Sequence, residues 1–341
     1  MKRATRWRRG RYLSGLVAAT GIMLLGAVPA RGADAPAKTT KVTTAYTTVG
    51  GIITPVWLAA DKGFFKKYGL EAEMKFIAAG PALVSALIAG ELDFPTGGGE
   101  PFVSAILAGA EITIIGFIAH TTPLMLYVAP HVTQFEQLKG GVIAVSRLAS
   151  SSAYMARVAL KTAGLEPLKD VGLIQAGGIP ESFAALQAGK VLGAVLSPPT
   201  TYAADAAGFR RLWNGLGVEN PTFTIAARKA YLKSNEGVAL RFLQAVGEGV
   251  HIFRTDREEA LKVMSKYTKV TDRTVLEKTY DDNKDVHRPN LRPTLSGIKV
   301  ILETLAATNP QAAKAVPENF INAGLTEKLE ESGFFKSLAG R

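Results

Sequence analysis

Cysteine is absent from the 341-residue chain. That excludes a disulfide framework, a thiolate metal site, a cysteine nucleophile and a lipid anchor on an N-terminal cysteine. Histidine is scarce: His120, His131, His251 and His287 are the only four, and they are scattered without a ligand spacing, so no metal site is expected. No G-x-S-x-G elbow occurs, and no histidine is placed near a serine as a local base. "GGGE", ending at Glu100, lacks the lysine of a phosphate-binding P-loop. No G-x-G-x-x-G opens a helix ahead of a ribose-binding acid. No cofactor is expected, and binding without chemistry fits better than catalysis. A triad assembled from distant residues is the alternative that a linear reading leaves open.

Acidic residues are missing from the first thirty positions, which carry Lys2, Arg3, Arg6, Arg8, Arg9 and Arg11. Removing those six leaves 34 bases against 29 acids, so most of the +11 net charge is local to the start. The remaining charges are interspersed and form no basic stripe, which argues against nucleic acid as a partner. A basic start, a short apolar stretch from Leu13 to Val28 and the small residues of "VPA" read as an export signal spanning 1–30, cut near Ala30. Arg8-Arg9 admits the twin-arginine route, although general secretion fits the spacing better. An uncleaved anchor is the rival reading. No later segment is apolar enough to span a bilayer, so a periplasmic, soluble, monomeric protein is expected. The 47% apolar content supports a substantial core and two lobes.

Self-similarity organises the remainder. "GPALVSALIAGELDF" from Gly80 parallels "IPESFAALQAGKVLGAV" from Ile179. Pro81 aligns with Pro180 and Gly90 with Gly189, both at an offset of 99. Upstream, "KVTTAY" and "GVIAVS" begin comparable strands. Each copy reads strand, polar loop, helix, strand, proline-opened helix, strand. Proline suits the first helical turn, and glycine the left-handed position that ends a helix. Alternating strands and helices predict a parallel-sheet α/β unit, here doubled. "PLMLYVAP" from Pro123 reads as a first crossover and "NPTFTIAA" from Asn220 as the return. The expected lobes are residues 34–125 with 222–341, and residues 126–221. Farther on, Ala239, Phe242, Leu243, Val246, Val250 and Phe253 form one helical stripe, and Thr255 to Glu258 reads as a capping box.

Open α/β sheets bind ligands beyond the carboxyl ends of their strands. The loops predicted there are Gly/Ser/Thr-rich: "TTVGG" with Thr47 and Thr48, "TGGGE" with Gly97, Gly98 and Glu100, "SRLASSS" with Ser146, Ser150, Ser151 and Ser152, and "SPPTTY" with Pro198 and Tyr202. "HTT", with His120, lies at the crossover. Serine hydroxyls and free N–H groups at a helix start accept anionic or strongly polar groups. Glu100 would repel a sulfonate or nitrate and welcome a ligand with a donor or positive charge; equally, it could point to solvent and complement its helix start. Arg147 could meet an anion or lie on the surface. Trp57, Tyr154 and Tyr202 could stack on a ring, with Trp57 better suited to the core.

"TPVWLAADKGFFKKYGLEAEMKF" (from Thr54), "ALVSALIAGELDF", "LKGGVIAVSRLASSSAYMARVALKTAGL", "ALQAGKVLGAVLSPP" and "PENFINAGLTEKLEESGFF" together resemble exported solute-binding proteins of the nitrate/sulfonate/taurine/bicarbonate class. The resemblance implies an α/β, two-lobed type II periplasmic binding fold with a hinge and a central cleft. It further implies delivery of a small solute to the permease of an ABC importer. Thr47, Thr48, Gly97, Gly98, Ser146, Ser150, Ser151, Ser152 and Pro198 stand at family-like site positions. "ADKGFFKKYG" is read as a rim segment with aromatics inward and lysines outward, facing the transporter. A related synthase of the thiamine pyrimidine is disfavoured, because the resemblance implies an iron-binding cysteine cluster that this chain lacks. A transcription-factor effector lobe is disfavoured by the export signal and the missing helix-turn-helix.

Overall fold

Residues 39–340, apart from 122, 149 and 307, are described by a computed structural model. The expected export segment lies outside the described residues. Along the chain the strands are β1 (Thr40–Tyr46), β2 (Leu70–Phe76), β3 (Thr96–Gly97), β4 (Ile112–Ala119), β5 (Met125–Val128), β6 (Val142–Val145), β7 (Gly172–Gln175), β8 (Gly193–Leu196), β9 (Arg210–Asn214) and β10 (Phe223–Arg228). They form two sheets, ordered β2-β1-β3-β10-β4 and β7-β6-β8-β5-β9. In the first, β2, β1 and β3 are parallel and β10 runs antiparallel to both its neighbours. The second repeats this plan, with β5 as the antiparallel insert.

The helices are α1 (Thr54–Asp61), α2 (Phe64–Lys67), α3 (Gly80–Ala89), α4 (Gly99–Leu107), α5 (Ser151–Thr162), α6 (Ile179–Gln187), α7 (Thr200–Ala206), α8 (Lys229–Thr255), α9 (Arg257–Thr268), α10 (Arg273–Asn283), α11 (Leu295–Ala306), α12 (Gly324–Glu331) and α13 (Phe334–Ala339). The two repeat helices, α3 and α6, each open with a proline in the first turn. They are followed by left-handed glycines, Gly90 at φ 86° and Gly189 at φ 66°. The pairing expected from the duplication is therefore present. None of the helices among the described residues is long and apolar enough to cross a membrane.

Strand alternation sends side chains to two faces, so each sheet carries two cores. On the fully buried β4, Ile115 and Ile118 join one cluster while Ile112, Ile114 and Phe117 join the other. On β5, Leu126 and Val128 face one cluster, Met125 and Tyr127 the second. The α8 stripe expected from the sequence is buried throughout, from Ala239 to Phe253. Each such large side chain contributes about 1.5–3 kcal/mol of burial. Gly249 explains how α8 comes so close to α1: a Cβ there would sit 2.0 Å from the Pro55 carbonyl oxygen.

One local expectation needs correction and a second, met by the buried Phe65 and the exposed Lys62, Lys66 and Lys67, gains a detail. The cap of α9 is Asp256, whose carboxylate accepts from the Glu259 N–H at 3.0 Å. Thr255 still belongs to α8 and donates to the His251 carbonyl. A helix that runs unbroken to Thr255 leaves the capping role to the next residue. In the "ADKGFFKKYG" segment, Phe65 is buried as expected, but the Lys67 ammonium bonds to the buried Glu248, which also accepts from Tyr68. Lys67 neutralises an acid of the core side of α8.

The chain passes between the sheets twice, after β4 and after β9. These crossings bond to one another: the Asn220 N–H donates to the His120 carbonyl at 2.8 Å, and Thr121 Oγ1 donates to the Val218 carbonyl at 2.8 Å. The Gly215 N–H donates to the Leu124 carbonyl at 3.0 Å.

Candidate functional site

Six parallel strands, three per sheet, end at one cavity of about 910 Å³. Beyond β1 lie Thr47 and Thr48; beyond β2, Ala78 and Gly80; beyond β3, Gly98 and Glu100. From the second sheet come Ser146 and Ser150–Ser152 beyond β6, Gln175 at the end of β7 with Gly177 beyond it, and Ser197 beyond β8. Helices α3, α4, α5 and α6 all begin on this cavity wall. Their unpaired N–H groups and dipoles make the wall favourable to negative or hydrogen-bond-accepting groups, by about 0.3–1 kcal/mol per charge at each terminus. Apolar side chains, among them Ile52, Val84, Leu124, Ile179 and Phe223, complete the lining. A site of this size and mixed lining suits an organic molecule.

The serine cluster is a closed set of hydroxyls. The Oγ atoms of Ser146, Ser150 and Ser152 lie 2.8–3.0 Å from one another. The Ser146 N–H donates to Ser152 Oγ at 2.9 Å, and Ser150 Oγ donates to the Arg147 carbonyl at 2.6 Å. Ser150 is the N-cap of α5, in extended conformation, as a capping serine requires. Ser151 points the other way. Its Oγ donates at 2.8 Å to Glu100 Oε1, joining the second-sheet helix α5 to the first-sheet helix α4.

Glu100 is only 4% exposed, so it does not point to solvent. Burial holds its carboxyl above the ordinary range; the Ser151 bond and its own backbone N–H offset part of that. Arg147, the other charged lining residue, is exposed.

Eight of the twelve residues singled out from the sequence therefore meet at one cavity: Thr47, Thr48, Gly98, Glu100, Ser146, Ser150, Ser151 and Ser152. Four stand elsewhere. Gly97 lies under Leu83 and Thr47. His120 belongs to the crossing; its Nδ1 has no hydrogen-bond partner among the described residues, and burial pulls its pKa down. Pro198 lies just past the lining residue Ser197. Tyr202 turns away and donates to Asp282 Oδ2 at 2.6 Å, bridging α7 to α10, with the Lys278 ammonium over its ring. Of the other aromatics, Trp57 is fully buried and stacks on Tyr267 at 4.6 Å. Tyr154 is half-buried, its hydroxyl pushed up to about 12 by burial and then by Glu303, Glu100 and Glu219. His287 is buried with its ring nitrogens against the carbonyls of Asn283 and Ile52.

Residues the sequence reading missed include Ala78, Gln175 and Gly177. They stand at or just past the ends of β2 and β7, the middle strands of each repeat. The strand-end rule points to them as well, but these short segments lack the serines and threonines that mark the others.

Residues 35–267 match the NMT1-like family. The putative binding protein YtlA of Bacillus subtilis (strain 168) is 24% identical over 300 residues, covering 85% of this chain and 90% of YtlA. The periplasmic aliphatic sulphonate-binding protein SsuA of Escherichia coli superposes with a TM-score of 0.69 at 22% identity, over 83% of this chain and 92% of that one. The periplasmic nitrate-binding protein NrtA of Synechocystis PCC 6803 does so with a TM-score of 0.70 at 15% identity, over 86% and 89%. These similarities establish the two-lobed periplasmic-binding-protein fold anticipated from the sequence. With the family match covering more than half of its length, the chain belongs to the NMT1-like family.

Proposed function

We propose that this protein is the solute-binding component of an ABC importer, exported to the periplasm with residues 1–30 removed. It takes a small polar or anionic organic solute between a lobe of residues 34–125 with 222–341 and a lobe of residues 126–221. It then presents the closed form to the permease as a monomer. The observation that carries this reading is the cavity walled by the strand ends of both sheets, with donors from each. Relatives named as binding proteins for sulfonate and nitrate support it.

The mechanism is a population shift. A solute that touches Thr48 on one side and the serine cluster on the other gains its second set of contacts only when the lobes meet, so it favours closure by that difference. The hydroxyls serve recognition and perform no chemistry. Each serine of the cluster is engaged with its fellows or with a backbone carbonyl, an arrangement suited to ordering acceptors and donors and unlike a nucleophile held by a base.

Thermal-shift screening of the purified protein against nitrate, sulfonates, carboxylates, pyrimidines and aromatic acids tests the reading. A stabilising ligand that is recovered unchanged is expected. Ser151→Ala should weaken that ligand about tenfold, and Thr48→Ala several-fold, with little loss of stability. Turnover of an ester substrate, or unchanged affinity in both variants, would defeat it.

A further inference from the structure

The cavity holds one buried acid and no buried base to match it. Glu100 faces the space from the first turn of α4, and Ser151 donates to it from the opposite sheet. Arg147 is the other charged residue of the lining and lies exposed. A carboxylate taken out of water keeps its charge comfortably only beside a cation or a set of strong donors. Within the wall it has a serine hydroxyl and one helix terminus. Among the described lining residues no buried cation stands beside it, so a cationic group of a solute would complete its surroundings.

The neighbouring chemistry restricts that partner further. Ser151 is flanked by Ser150 and Ser152, whose hydroxyls cluster with Ser146 at the start of α5. A carboxylate thus adjoins a spot rich in hydroxyls and free N–H groups. A simple oxyanion could use the second but would be repelled by the first. An organic molecule with a basic nitrogen next to an oxygen acceptor satisfies both. The apolar flanks given by Val84, Ala105, Leu124 and Phe223 accept its carbon body.

We propose that Glu100 selects the solute class: an organic amine or amidine whose nitrogen bonds to the Glu100 carboxylate while a nearby acceptor meets the serine cluster. The proposal rests on the solute-binding reading above and narrows it. Under it, inorganic oxyanions and plain alkanesulfonates are poor ligands.

Matched probes separate the two claims. The purified protein is tested by thermal shift and calorimetry with three pairs, each member bearing an oxygen acceptor: taurine and isethionate, 4-amidinobenzoate and 4-carbamoylbenzoate, tryptophan and indole-3-lactate. In at least one pair the member with the basic nitrogen should bind about tenfold or more tightly than its partner. Glu100→Gln keeps an oxygen acceptor for Ser151 and removes the charge, and should bring that pair to within about twofold. Glu100→Asp keeps the charge and should retain the preference, which guards against a variant that merely misfolds. Binding by the members without a basic nitrogen while their partners stay inert, or a preference that survives Glu100→Gln, overturns the proposal and leaves the solute-binding reading intact. Silence from all six probes overturns both.

Discussion

Strand for strand, β2-β1-β3 of the first sheet corresponds to β7-β6-β8 of the second, and each set receives one antiparallel strand on the same side. The positions that build the scaffold agree between the copies. Pro81 and Pro180 open the middle helices, and Gly90 and Gly189 follow them. The positions that face the cavity do not agree. After its first strand, one copy offers Thr47 and Thr48, while the other offers four serines. After the third strand, one places Glu100 in a helix start and the other ends in Ser197 and a pair of prolines. A doubled fold thus preserves what folding needs and frees the strand ends for different chemistry, so the cavity has two unlike walls. The copies also differ in cover: α8 to α10, α12 and α13 pack around the core holding Trp57 and Phe242, whereas among the described residues the second sheet is covered by α5, α6 and α7, all shorter than α8.

That difference in cover predicts the largest effect. Trp57→Ala should cost about 3–5 kcal/mol in urea unfolding, because its ring is fully buried and stacked. Phe183→Ala, in the smaller second-sheet cluster, should cost less. Equal losses would break the comparison. A smaller effect is expected where the halves touch outside the cavity. Tyr202→Phe deletes the hydroxyl that bridges α7 to α10 and should weaken closure by about 1 kcal/mol. Small-angle scattering of the solute-free protein should then report a larger radius of gyration; no change would make the bond a local one.

The third effect is a dependence on pH and sharpens the contrast between the walls. Burial raises Glu100 above the ordinary carboxylate range, so the folded protein holds that proton more tightly than the unfolded chain. Ionisation therefore opposes folding. The contribution of Glu100 to stability falls as pH climbs from the ordinary carboxylate value through the raised one, and is constant above it. Glu100→Gln should melt higher than the parent at neutral pH, with the gap closing as the solution is acidified. A constant gap, or one that widens in acid, would contradict the burial argument. Ser151→Ala removes the bond that partly offsets this burial, so its loss of stability should grow as pH rises through the Glu100 titration and shrink in acid.

Most of the frame was legible in the linear chain because it rests on local signals. Proline and glycine punctuate the repeat, and the α8 stripe follows from 3.6-residue spacing. The strand-end rule placed the serines and Glu100 correctly at one cavity. What it could not supply was direction. Tyr202 follows the lining residue Ser197 by a few positions, yet its side chain reaches Asp282, a residue distant in sequence. His120 sits in a suitable loop, but pairing of the two crossings sequesters it. Lys67 reads as a surface lysine until α8 brings Glu248 beneath it. Gln175 escaped notice because it ends a strand and precedes a short loop without serine or threonine. For Tyr202, His120 and Lys67 the deciding partner is far away along the chain.

The bonded crossings have one last consequence. Sliding or stretching the two halves apart would have to break the His120–Asn220, Thr121–Val218 and Leu124–Gly215 bonds together. Folding about the line they define can leave all three in place. The two halves are joined like the boards of a book along that spine, and under the proposed function a solute would enter from the fore-edge as the pages part along a single arc.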